Sequence, residues 1–164
     1  MLKCAGAILD RRFLMEKIPC LVNIKSIFSD QETMFDGSFE QSEDRIRLSW
    51  VQPEEQKGEG DSKFLLSYRV EEKILRLTRK GSTEMEMTFV EGEVTEGVMR
   101  TSHGDFDLKM ETFGILFFPE TGDEEANIDG QDYVVKKAML EYDLHFPNQD
   151  PMRNTMIFKV HLAK

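Results

Sequence analysis

The chain has 164 residues, with 31 acidic against 21 basic side chains and a formal charge of -10. That length suits one domain able to bury a real core and is short for two. The negative balance repels phosphate backbones and anionic membrane surfaces, which argues against nucleic acid or a membrane as partner. The densest basic cluster, Arg76, Arg79 and Lys80, is divided between the two faces of one strand.

At the N-terminus, "MLKCAGAILDRRFLMEK" holds an apolar run only from Cys4 to Leu9 before Asp10, Arg11 and Arg12. It is too short for a secretory signal or a membrane span. Strand-like alternation begins at Ile18, so residues 1–17 are expected to be an extension outside the fold and residues 18–164 a single β domain. Cys4 and Cys20 are too few for a disulfide framework and lack metal-type spacing. Reduced thiols in a cytoplasmic protein are the expectation.

From there the chain reads as short alternating segments broken by turn residues, with no sustained helical period. The predicted strands are Cys20–Phe28, Arg45–Val51, Lys63–Val70, Leu75–Lys80, Thr83–Val90, Val94–Ser102, Asp105–Phe118, Tyr133–Phe146 and Asn154–Leu162. Gly81, Gly92 and Gly104 mark tight hairpin turns, where glycine supplies positive φ. The longer separators "SDQETMFDGSFEQSED", "QPEEQKGEGD" and "PETGDEEANIDGQD" read as solvated loops, the first with room for a helical turn or an extra strand.

Alternation assigns the faces. Met85, Met87 and Phe89 oppose Glu84, Glu86 and Thr88; Phe106, Leu108 and Met110 oppose Asp107, Lys109 and Glu111. Leu140, Tyr142 and Leu144 oppose Glu141, Asp143 and His145, and Met156, Phe158 and Val160 oppose Lys159 and His161. A single apolar face on about nine strands is hidden by closing the sheet. The prediction is an all-β fold, a single antiparallel up-and-down barrel of eight to ten strands.

The stretch "LRLTRKGSTEMEMTFVEGEVTEGVMRTSHGDFDLKMET", with "LEYDL" and Asn154 later, resembles the YwiB-like family of small bacterial proteins, catalogued as a domain of unknown function. The matching positions are Arg79, Gly81, Met87, Phe89, Gly97, Thr101, Gly104, Thr112, Tyr142 and Asn154. The resemblance implies a calycin-type, lipocalin-like barrel and no particular chemistry. Met99 stands where that family has an aromatic residue, and the loop from Pro119 to Asp132 is longer and more acidic.

Within the inward pattern lies a polar set: Arg79, Thr95, Thr101, Thr112, Tyr142 and Asn154. A buried guanidinium needs acceptors, so Arg79 either closes a barrel end over an aromatic residue such as Trp50 or neutralises an anionic ligand. The functional expectation is a non-enzymatic binder of a small, partly apolar ligand in the lumen, with an anionic head meeting Arg79. Thr101, Thr112, Tyr142 and Asn154 would orient that ligand, and Met87, Phe89 and Met110 would contact its body. The alternative is a packed barrel that interacts through its rim or outer face, with a homodimer left open.

Metal and catalytic chemistry find little support. Aligning "EANIDGQDYVVK" as a calcium loop puts Lys136 where the bidentate glutamate belongs. His103, His145 and His161 lack zinc spacing. Glu84 and Glu86 could meet Glu96 or Asp107 only as surface carboxylates. No nucleophile elbow, phosphate loop or H-E-x-x-H occurs, so no enzyme, cofactor or metal is expected.

Overall fold

The computed structural model describes residues 16–26, 33–53, 60–118 and 121–164. Among these there is no helix, and the strands are β1 Ile18–Lys25, β2 Met34–Gln41, β3 Arg45–Gln52, β4 Ser62–Arg69, β5 Ile74–Lys80, β6 Glu84–Val90, β7 Val94–Thr101, β8 Gly104–Leu116, β9 Asp123–Ile128, β10 Gln131–His145 and β11 Met152–Ala163. The expected N-terminal extension lies outside the described residues up to residue 15.

Each of β1 to β7 pairs with the next strand, β8 pairs with β10, β10 with β11, and β11 returns to β1. The result is a closed antiparallel barrel of ten strands, with β9 joined to β10 alone. Closure sets Leu21 opposite His161 and Lys25 opposite Ile157. The all-β, up-and-down barrel is as the alternation predicts, with two strands more.

One addition, β2, fills the position left open as an extra strand. The other, β9, replaces what reads as an acidic loop. Its turn to β10 is Asp129-Gly130, with φ of 52° and 88°, two successive left-handed residues of the kind that make a two-residue hairpin. The supposed calcium loop is therefore a hairpin. Asn127 serves it structurally, accepting from the Gly130 amide at 3.1 Å.

The predicted strand from Asp105 stops at Leu116, and the next two residues turn inward. Phe117 stacks on Tyr68 of β4 with centroids 4.4 Å apart, and Phe118 meets Phe39 of β2 edge-on at 5.7 Å. Both are fully buried. They plug the end of the barrel where β4 and β2 finish. Between the plug and the far end, Leu48, Leu66, Leu77, Met87, Phe89, Met110, Leu140 and Phe158 form one buried cluster.

Two glycines let strands and side chains approach closely. A Cβ on Gly97 would run into the Glu86 carbonyl oxygen and reach within 3.1 Å of Met110 Cε. At Gly37 it would strike the Ser49 carbonyl and come 2.9 Å from Val22 and 3.3 Å from Trp50 Cβ. Gly37 thus makes the room that Trp50 occupies.

Candidate functional site

The inward polar set divides between places. Thr112, Tyr142 and Asn154 form one cross-strand row on β8, β10 and β11, since Tyr142 lies opposite both others. All three are buried. Asn154 Nδ2 donates to Tyr142 Oη at 2.8 Å, and Tyr142 Oη approaches Met156 Sδ at 3.9 Å. Phe89 packs against the Tyr142 ring at 4.8 Å. Burial pushes the Tyr142 phenol above its ordinary range, partly opposed by the Asn154 hydrogen bond. Two polar atoms of the row, Thr112 Oγ1 and Asn154 Oδ1, are buried without a hydrogen-bond partner.

Thr101 and Thr95 stand apart from that row. Thr101 Oγ1 donates to the Gly104 carbonyl at 3.0 Å and accepts from the His103 amide at 3.1 Å, so it builds the β7–β8 turn. Thr95 hydrogen-bonds the Thr88 carbonyl. Phe106, expected inside, is 47% exposed beside the same turn, where the barrel mouth leaves it uncovered.

Arg79 sits on the β5 wall. Its Nε donates to Ser62 Oγ at 3.3 Å, and its guanidinium lies 5.4 Å from the centre of the Phe64 ring. Phe64 in turn stacks on Trp50, the rings 5.2 Å apart and 2° from parallel. A cation over an aromatic stack is a favourable contact at a barrel end. Its geometry resembles the closing role expected of Arg79, with Phe64 interposed before Trp50.

On the outside of β2 to β5 lies a feature that chain order conceals: an open groove of about 620 Å³. Register explains it. Outward positions on neighbouring strands place Arg45 opposite Arg69, Arg47 opposite Ser67, Ser67 opposite Arg76, and Lys63 opposite Lys80. With Lys17 this gives seven cationic side chains against two acidic ones, Glu40 and Glu86. Ser38, Ser49, Ser67 and Thr78 supply hydroxyls between them. Glu40 lies opposite Arg47, and Glu86 is 3.6 Å from Arg76. The two end rows are different, because like charges face each other there.

A family model described as a domain of unknown function, DUF1934, matches residues 23–157. The chain belongs to the DUF1934 family. Among solved structures it is similar to the ywiB protein from Bacillus subtilis, at 18% identity over 90% of this chain and 94% of that one, with a TM-score of 0.65. That likeness is one of fold. No curated protein matches the chain.

In this DUF1934 domain several other titratable groups among the described residues make structural contacts. Burial pushes the Cys20 thiol up to about 11, which keeps it protonated and a poor nucleophile. Glu86 and Glu84 meet Arg76 and Arg100, at 3.6 Å and 3.9 Å. Glu111, Asp143 and His145 bring three donor atoms within 4.8 Å of one another, a grouping that sequence spacing does not reveal. Arg153 already serves it, with Nε 2.5 Å from Asp143 and Nη1 3.1 Å from Glu141, while its guanidinium lies 4.2 Å from the centre of the Phe113 ring. The arginine brings the positive charge there.

His161 departs from its expected wet face. It is buried, edge-on to Tyr133 at 6.0 Å. Burial holds its pKa below the ordinary value, opposed by a backbone hydrogen bond at Leu21 and reinforced by the charge of Lys159. The unfolded chain then gains a proton near pH ~6.5 that the folded chain takes up only at lower pH. Stability is expected to fall as pH drops through that window. Urea midpoints at about pH 7.5 and about pH 5.5 check this; His161→Phe should flatten the difference, and an unchanged slope would assign it to other groups.

Proposed function

We propose that this protein is a non-enzymatic binding module that works through its outer face and takes an anionic ligand in the groove over β2 to β5. The observation that carries the reading is local: a surface with five more cations than acids on a chain whose formal charge is -10. Cationic side chains converging from β3, β4 and β5, with Lys17, concentrate a field that the whole-molecule charge hides. The closed interior supports the same reading, since Phe117 and Phe118 occupy one end and Arg79 over Phe64 and Trp50 the wall toward the other.

A cation-exchange matrix tests it. At neutral pH and low ionic strength the protein should be retained on phosphocellulose despite its net negative charge, and released by moderate salt as screening shortens. Passage straight through the matrix at low salt would remove the support for this reading.

A second reading keeps the expected lumen ligand, with Arg79, Thr112, Tyr142 and Asn154 as its polar contacts. Its support is the pair of unpartnered buried atoms, Thr112 Oγ1 and Asn154 Oδ1. Against it stands the crowding of that row by Phe89 and Met156.

A further inference from the structure

Resting on the outer-face reading, we infer that the groove is a site for a small ligand carrying two or more phosphate groups. Two observations lead there. The first is the pairing of like charges: Arg45 lies directly opposite Arg69, and Lys63 directly opposite Lys80. Such pairs are unfavourable on a sheet face; among the described residues Arg69 has Glu72 at 3.1 Å and Arg45 has the charge of Asp44 beside it, while Lys63 and Lys80 face each other. An anion between the members of each row converts the repulsion into attraction.

The second observation is the abundance of donors. Guanidinium and ammonium groups donate and do not accept, and the hydroxyls of Ser49, Ser67 and Thr78 add further donors between the charged rows. The matching ligand is rich in acceptors. A phosphate monoester offers three acceptor oxygens and close to two negative charges per group, more than a carboxylate does. The end rows lie at opposite ends of the strands, about 20 Å apart at the backbone by strand rise. Long side chains bridge part of that distance, and more than one anionic group is needed to engage both rows.

The small size follows from volume and from surrounding charge. About 620 Å³ falls within the range of small-molecule sites. A long polyanion leaving the groove would run onto an otherwise acidic molecule, and among the described lining residues the one aromatic ring, Phe64, is already stacked on Trp50.

Calorimetric titration of the full chain at low ionic strength tests the assignment, using inorganic tripolyphosphate, orthophosphate, citrate and a short single-stranded oligonucleotide. Tripolyphosphate is expected to bind at least about tenfold more tightly than orthophosphate or citrate. The double variant Arg45→Glu, Lys63→Glu should lose that binding by a similar factor. It turns both repulsive rows into opposite-charge pairs, so its urea midpoint should not fall. Lys63→Glu alone serves as the second variant should the double one unfold. Citrate binding as tightly as tripolyphosphate, with both lost in the variant, would overturn the phosphate assignment and leave the anionic groove intact. An oligonucleotide binding tightest would overturn the small-ligand assignment in favour of a polymer. If none of the four binds, the groove reading falls with it.

Discussion

Phe89→Ala is expected to destabilise the domain by about 4 kcal/mol, the upper part of what emptying a buried aromatic site produces. Phe89 is fully buried, lies opposite Leu75 on β5, and packs against the Tyr142 ring at 4.8 Å. Its neighbours stand on strands locked into a closed ring, so the walls have little freedom to collapse into the space. For a domain of this size the loss corresponds to a fall in Tm of roughly 8–16 °C. Urea and thermal unfolding measure it; a change below about 1 kcal/mol would mean the wall relaxes and the ring is not rigid.

The Tyr142–Asn154 pair is expected to respond asymmetrically. Tyr142→Phe removes the hydroxyl that accepts from Asn154 Nδ2, whose Oδ1 already lacks a partner among the described residues. The buried amide is then left unsatisfied, at a cost of about 2 kcal/mol. Combining Tyr142→Phe with Asn154→Leu removes both polar groups, and most of the lost stability should return. If the double variant is instead as unstable as the sum of the single ones, the row is held by shape and not by its hydrogen bond. Full recovery would also favour the lumen-ligand reading, because a fold equally stable with this row apolar keeps it polar for no structural reason except a guest.

Much of the barrel is legible because inward and outward residues alternate on β5, β6, β8, β10 and β11, with Phe106 and His161 as exceptions. The strand β2 is harder to read. Its inward positions are Phe35, Gly37 and Phe39, and the missing side chain at Gly37, needed by Trp50, breaks the apolar rhythm at its centre. For β9 the obstacle is composition, since "DEEANI" is poor in β-forming residues. It is a strand because β10 offers it an edge, and because Asp123, Glu124 and Glu125 each find a lysine in Lys136, Lys137 and Lys164. The Asp129-Gly130 turn is a hairpin signal visible in the sequence, and reading the whole acidic segment as a solvated loop obscures it.

The candidate sites divide along the same line. Thr112, Tyr142 and Asn154 are predicted inside from alternation alone, and they meet in one row. That Thr101 belongs to a turn, and not to this row, follows from its place as the last residue of β7, opposite Gly104, where the predicted strand runs one residue further to Ser102. The cationic groove is illegible in chain order because β3, β4 and β5 contribute only two bases each, on outward positions separated by inward apolar residues, and β2 contributes none. Only register assembles Arg45 with Arg69 and Lys63 with Lys80.

Ring closure bears on how the molecule is made. The pairing of Leu21 with His161 and of Val22 with Val160 joins the first strand to the last. During synthesis, β1 can pair with β2 on one side, but its other edge waits until β11 has cleared the ribosome and is meanwhile a template for other chains. Contacts so distant along the sequence also place the fold among the slow ones. The nascent protein therefore passes through an open sheet with two adhesive edges, and yields in the cell should depend on chaperones that shield those edges more than on the stability of the finished barrel.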